Sequence, residues 1–199
     1  MPGPLILEYY NMNLRRSEIE IWDAFVEGHK ADFEYLYNTY YAHLLAYAGK
    51  FLDDPVLVQE CIQDLFVKLW HNRSNLGRPA SVKHYLLKSL RNLAYNKLSA
   101  RQRIRHIGGI EEFDSFNLVF DDPRSLTAAQ PLSAALQHKI NGLTPRQKEI
   151  IYLFYVEDLS YDEIAEILDM NKGGAYKLLY RALESLRLQF FLKKRNPVG

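Results

Sequence analysis

What most constrains this chain is the recurrence of apolar residues at three- and four-residue intervals, segment after segment, with almost no alternation at period two. From Asp32, the positions Phe33, Leu36, Tyr37, Tyr40, Tyr41, Leu44, Leu45, Ala48 and Phe51 keep the spacing of one helix face. Asp54-Pro55 then offers a cap and a proline at the first helical position. The helix that follows gathers Leu57, Val58, Cys61, Ile62, Leu65, Phe66, Leu69 and Trp70 on one side. A short helix is expected near Glu18–Val26 and a long basic one over Val82–Ile104, with a turn-rich loop at residues 72–81 between. Thr144-Pro145-Arg146-Gln147 and Ser160-Tyr161-Asp162-Glu163 are capping boxes, and Asn171 caps another helix start. The pattern predicts an all-α chain.

Residues 108–131 break the rhythm, with a Gly-Gly pair, two prolines and five acids. A stretch that long without periodicity is at home between domains and out of place inside one. The expected organisation is therefore two small helical domains, 1–106 and 132–199, joined by a flexible acidic linker over 107–131.

The net charge of +1 hides a strong alternation. Residues 1–70 carry −6, residues 71–106 carry +9 with no acid at all, residues 107–171 carry −8, and residues 172–199 carry +6. Two separated basic blocks suggest two surfaces for a polyanion, each backed by an acidic region that faces something else. In the second block, Ile164, Ala165 and Leu168, a tight turn at 170–172, then Ala175, Leu179, Ala182 and Leu186, form the inner faces of a helix-turn-helix. Its outer stripe is Lys172, Tyr176, Lys177, Tyr180 and Arg181. In the first block, Leu86, Leu90, Leu93, Ala94 and Leu98 point inward. His84, Lys88, Arg91, Asn92, Tyr95, Asn96, Ser99 and Gln102 share an outer arc, beside a loop carrying Arg73 and Arg78. Cations, amides and an aromatic on one face suit a single or melted DNA strand, where phosphates, base edges and base planes are all within reach.

The remaining features narrow the class. Six histidines fall without metal-binding spacing, and the chain has no phosphate-cradling glycine loop and no nucleophile elbow, so an enzyme is not expected. One cysteine, Cys61, rules out an intrachain disulfide and a cysteine-built metal site. No apolar run approaches the roughly 18 residues of a membrane span, and the first residues lack a signal-peptide pattern. A cytoplasmic protein without cofactor, small-molecule substrate or membrane insertion is expected.

These residues resemble a bacterial RNA polymerase sigma factor. Residues 144–186 are similar to sigma region four; residues 33–41, 59–70 and 85–103 are similar to region two. The two regions, a linker and a small size resemble the extracytoplasmic-function group. The resemblance implies that Glu60, Gln63, Asp64 and Lys68 dock on the beta-prime clamp helices of core RNA polymerase. It implies that the loop 72–81 and the helix after it read the non-template strand of the minus-ten element through a flipped base, with Arg73, Arg78, His84, Lys88, Arg91, Asn92, Tyr95 and Asn96. The recognition helix would read the minus-thirty-five duplex through Lys172, Tyr176, Lys177, Tyr180 and Arg181. The acids Glu111, Glu112, Asp114, Asp121 and Asp122 would lie in space later taken by RNA. Implied partners are core polymerase (beta-prime clamp and beta flap), promoter DNA and an anti-sigma factor, which the family commonly has. Two departures stand out: Gly174-Ala175-Tyr176-Lys177-Leu178 replaces a run that is often polar or basic, and Tyr85 stands where tryptophan is common. The competing reading is a stand-alone helix-turn-helix regulator, which would not co-purify with core polymerase; an RNA-binding module fits the charge but not the helix-turn-helix.

Overall fold

The computed structural model describes residues 16–104, 113, 115–118 and 134–192, and every regular element among them is helical. Helix α1 (Glu18–Val26) begins at a capping box: Ser17 accepts from the Glu20 amide, and Glu20 reaches back to the Ser17 amide. That backbone hydrogen bond, joined by the Ser17 hydroxyl, holds the Glu20 carboxyl below its ordinary range. The chain leaves α1 through Gly28, whose φ of 98° is open to glycine and strained for other residues. Helices α2 (Lys30–Ala48) and α3 (Pro55–Asn72) follow, then a 3-10 turn (Arg73–Asn75) and the long helix α4 (Val82–Ile104). Asp54 caps α3 through the Val56 amide, and Pro55 takes the first helical position, where its missing N–H costs nothing.

Aromatic rings fill the space between α1, α2 and α3. Phe25 stacks on Phe33, and Phe33 packs in turn against Phe66 and Trp70. Trp22 is fully buried, edge-on to Phe25 and Tyr85, so it joins α1 to the start of α4.

The C-terminal helices are α5 (Ala134–Asn141), α6 (Pro145–Tyr155), α7 (Tyr161–Ile167) and α8 (Lys172–Leu192). Thr144 with Gln147 and Ser160 with Glu163 complete reciprocal capping boxes at α6 and α7; such a cap contributes on the order of 1 kcal/mol. Asp158 and Asp169, both at positive φ, turn the chain at the two ends of α7, a conformation that aspartate tolerates better than most residues.

The N- and C-terminal helices share one apolar core. Helix α4 packs on α7 as well as on α2 and α3, which is why Leu87, outside the expected inner face, is buried beside Leu86 and Leu90. Tyr47 of α2, fully buried, stacks on Tyr152 of α6 with ring centroids 5.8 Å apart. The described part of the connecting segment packs on the helices. Phe113, Phe116 and Leu118 are buried, with Phe113 stacked 4.0 Å from Phe51. Asn117 donates its amide to the Lys50 carbonyl, and Gln137 donates to that of Leu118. Three large apolar side chains within six residues outweigh the surrounding acids, because each contributes about 1.5–3 kcal/mol when taken from water. The acids Glu111, Glu112, Asp114, Asp121 and Asp122 lie outside the described residues.

Candidate nucleic-acid interface

Three surfaces collect the residues singled out in the sequence. On α3 the stripe Val56, Glu60, Gln63 and Val67 follows helical spacing and is exposed, with Lys68 beside it and Asp64 half-buried. Val56 and Val67, 64% and 54% exposed, are apolar residues left facing water on an otherwise polar side. Sequence reasoning passed over them because it sorted apolar residues into the core. Lys97 of α4 bridges Asp64 at 2.8 Å and Glu60 at 3.4 Å. Desolvation opposes the charge of Lys97, but the hydrogen bond and charge of Asp64 outweigh it and raise the ammonium above its ordinary range.

The loop before α4 is pinned to the N-terminal helices. The Trp22 indole donates to the Gly77 carbonyl at 3.2 Å, and Arg78 pairs with Asp23 of α1 at 2.9 Å. The Arg73 guanidinium lies 4.4 Å over the Trp70 ring and donates to the Trp70 carbonyl. Asn92 and Asn96, one turn apart on α4, are exposed amides.

His84, Lys88, Arg91, Tyr95 and Ser99, expected on the outer arc, instead meet neighbouring elements. Arg91 makes a two-pronged pair with Glu149 of α6, at 2.9 and 3.3 Å, and its guanidinium sits 5.1 Å from the Phe113 ring. The Tyr47 hydroxyl donates to the same Glu149 carboxylate at 2.7 Å. Lys88 donates to Glu166 of α7 at 2.9 Å, and the His84 ring stands 3.7 Å from that carboxylate. Lys83 donates to the Glu157 carbonyl, while the Glu157 carboxylate faces Lys83 at 3.9 Å and His43 at 3.6 Å. Tyr95 is half-buried, edge-on to Phe113, and Ser99 is buried. The physical reason is charge: the acidic block 107–171 supplies the carboxylates that face Lys83, His84, Lys88 and Arg91.

The electrostatics follow from this pairing. Burial of Arg91 disfavours its charge, and the Glu149 carboxylate more than compensates, so the guanidinium is held charged. Burial, reinforced by Glu149, pushes the Tyr47 phenol far above its ordinary range. The hydrogen bond from Lys88, followed by its charge, holds the Glu166 carboxyl below its ordinary range.

Helices α7 and α8 form the helix-turn-helix. Ile164, Ala165 and Leu168 pack on Ala175, Leu179 and Ala182, all buried. Asn171 accepts from the Gly174 amide at 2.7 Å, and a Cβ at Gly174 would lie 3.3 Å from the Asn171 oxygen, so the close cap accounts for the glycine. Lys172, Tyr176, Lys177, Tyr180 and Arg181 are all exposed along one side of α8. Lys172 pairs with Asp162 at 2.7 Å, and Tyr176 leans on Tyr161. This basic stripe faces outward along its whole length.

Residues 36–104 match the family model for sigma-70 region 2, and residues 133–186 match that for sigma-70 region 4. The ECF RNA polymerase sigma factor SigE of Mycolicibacterium smegmatis is 25% identical over 129 residues, covering 65% of this chain and 50% of that protein. The chain thus spans about half the length of the first curated relatives it matches. The RNA polymerase sigma-E factor of Streptomyces avermitilis is 26% identical over 160 residues, covering 80% of this chain and 86% of its own. A solved structure of the sigma factor RpoE with the anti-sigma factor NepR, from Bartonella quintana, matches with a TM-score of 0.58 at 22% identity, covering 83% of this chain and 99% of that one.

Proposed function

The chain belongs to the sigma-70 family, in its extracytoplasmic-function group, and from that premise we propose that it binds core RNA polymerase and directs it to a subset of promoters. The observation that carries this reading is the order of the two matches: region 2, then region 4 with an outward-facing recognition helix. Residues 1–106 serve as the region 2 domain, 107–131 as the connector and 132–199 as the region 4 domain. The α3 stripe with Glu60, Gln63, Asp64 and Lys68 docks on the beta-prime clamp helices, and the C-terminal domain meets the beta flap. Arg73, Arg78, His84, Lys88, Arg91, Asn92, Tyr95 and Asn96 hold the melted minus-ten strand. Lys172, Tyr176, Lys177, Tyr180 and Arg181 read the minus-thirty-five duplex. An anti-sigma factor is a further partner, by analogy with RpoE, whose structure holds NepR. The protein acts by binding and carries out no chemistry of its own.

Transcription in vitro with core polymerase over a pool of promoter fragments tests the proposal. Defined transcripts from a subset of fragments are expected. Duplex binding without any transcript would favour the stand-alone regulator.

Asp64→Arg is expected to weaken core-polymerase binding while the helix content and thermal midpoint stay close to the parent. The pair with Lys97 that it removes lies at the surface, its side chains 48% and 27% exposed, so its loss costs only about 0.2–1 kcal/mol. Unchanged affinity for core polymerase would remove α3 as the docking surface. On α8, Lys177→Ala and Arg181→Ala should each lower the salt dependence of duplex binding by about one ion if the side chain meets a phosphate, or cost about 1–3 kcal/mol at one base position if it reads an edge. Salt titrations against a promoter and its single-base variants separate these outcomes, and no change in either measure would place recognition elsewhere.

A further inference from the structure

We propose that α8 selects its duplex by the C5-methyl groups of thymines, with the rings of Tyr176 and Tyr180 as the contact surfaces. The inference rests on the reading of α8 as the duplex-binding helix and names what that helix recognises. Tyr176 and Tyr180 are each 57% exposed, one turn apart on the outward stripe. The fold does not explain them, because α8 meets the core through Ala175, Leu179 and Ala182 on its other side. Neighbouring aromatic rings left facing water amid cations mark a contact surface. The Tyr176 ring is also braced from behind. It leans on Tyr161 of α7 with centroids 5.6 Å apart, and Tyr161 packs in turn against half-buried Phe154 of α6 at 5.2 Å. A ring already held in place loses little freedom when it meets a partner.

The rest of the outward side leaves few other readers. Between Lys172 and Leu183 there is no asparagine, glutamine, serine or threonine, the uncharged side chains that hydrogen-bond base edges. Gly173 and Gly174 offer no side chain, Ala175 is buried, and Lys172 pairs with Asp162 at 2.7 Å. Tyr176 is thus the first uncharged side chain that α8 turns outward. Lys177 and Arg181, each the residue after a tyrosine, are placed to take the phosphates that fix register. Among the base edges of the major groove only thymine presents a methyl group, and an apolar surface is what recognises it. Four residues of helix rise about 6 Å, close to two base-pair steps of about 3.4 Å each. The two rings therefore meet thymines at nearby positions of one site.

Deoxyuridine, which pairs as thymidine does and lacks only that methyl, isolates the contact. The full chain is assembled with bacterial core polymerase, its preferred duplexes are drawn from a random pool, and each thymine of the upstream element is replaced singly by uracil in competition binding. At two positions the replacement should weaken binding about 4-fold, the effect of losing one buried methyl. Tyr176→Ala should abolish the uracil effect at one of these positions, and Tyr180→Ala at the other. Tyr176→Phe and Tyr180→Phe, which keep the ring and lose the hydroxyl, should retain both effects. An upstream element without thymine, or one indifferent to uracil throughout, overturns the inference. So does a uracil effect that persists in the alanine variants, or one that the phenylalanine variants lose as fully, which would assign the contact to the hydroxyl. If the pool yields no upstream element at all, duplex reading by α8 fails and the inference falls with it, an outcome distinct from an element that ignores the methyl. Both rings are exposed, so the alanine variants should keep the parent's helix content. Were either to lose it, Tyr176→Gln and Tyr180→Gln carry the same test.

Discussion

Replacing Trp22 with alanine is expected to lower the unfolding free energy by about 3–5 kcal/mol, the usual cost of truncating a large buried aromatic. The whole stability of a chain of this kind is on the order of 5–15 kcal/mol, so the urea midpoint should fall by a large fraction of its parent value. The side chain is fully buried and makes two edge-on ring contacts that tie α1 to α4. The same indole holds the Gly77 carbonyl, and the next residue, Asp23, holds Arg78. The substitution therefore also frees the loop assigned to base capture. Trp22→Phe separates the two effects: it keeps most of the ring packing and drops a hydrogen bond whose net value is only about 0.5–1.5 kcal/mol. Its urea midpoint should stay near the parent while promoter opening, read by permanganate footprinting, declines. A parent-like midpoint for Trp22→Ala would mean that α1 does not anchor this half of the molecule.

The second large effect is expected at Phe113 and Phe116. Each is almost fully buried, and between them they touch Phe51, Tyr47, Tyr152, Arg91 and Tyr95. Truncating either to alanine would cost about 3–5 kcal/mol if the surroundings stayed in place, and as neighbours sharing contacts the two do not add. The surroundings have another option, since the halves can separate and let water into the gap. The cost is then capped by the free energy that holds them together. The double variant Phe113→Ala, Phe116→Ala should accordingly keep its helix content and gain radius of gyration, with faster amide exchange in the α4 turns around Arg91. Parent-like dimensions and exchange would show that the aromatic wedge is incidental to the contact.

The parts of this fold that were legible in the sequence are those decided within a few residues. The capping boxes at Thr144 and Ser160, the Asp54-Pro55 start and the Asn171 cap are local chemistry, and the helices begin there. The bounds of α1 and α4 agree with the apolar periodicity for the same reason. The exposed stripe of α8 was legible because its opposite face is small and apolar, leaving only one way to pack. What could not be read is which surface covers the outer arc of α4. Arg91 and Glu149 are 58 positions apart, and Tyr47 meets Glu149 across 102. A charge tally along the chain shows that acids and bases are segregated, but it does not say that the blocks face each other. Tyr47 lay off the apolar face drawn for α2, because that face followed a single stripe whereas the helix packs on α1, α3 and α4 and meets α6 through Tyr47. Phe113 and Phe116 were hidden by the acids around them, although three apolar residues spaced closely in a polar stretch were a visible signal.

The stacked pair Tyr47 and Tyr152 gives the molecule an optical signature of its own state. The two phenol rings are nearly parallel, 13° apart, and belong to opposite halves of the chain. At that spacing their electronic transitions couple, and the near-ultraviolet dichroism they generate together exists only while the halves are in contact. Both tryptophans, Trp22 and Trp70, belong to the N-terminal helices, so indole emission follows the integrity of that half and is blind to closure. One cuvette thus carries two separable channels, and contact between the halves can be followed in unlabelled protein as DNA or polymerase is added.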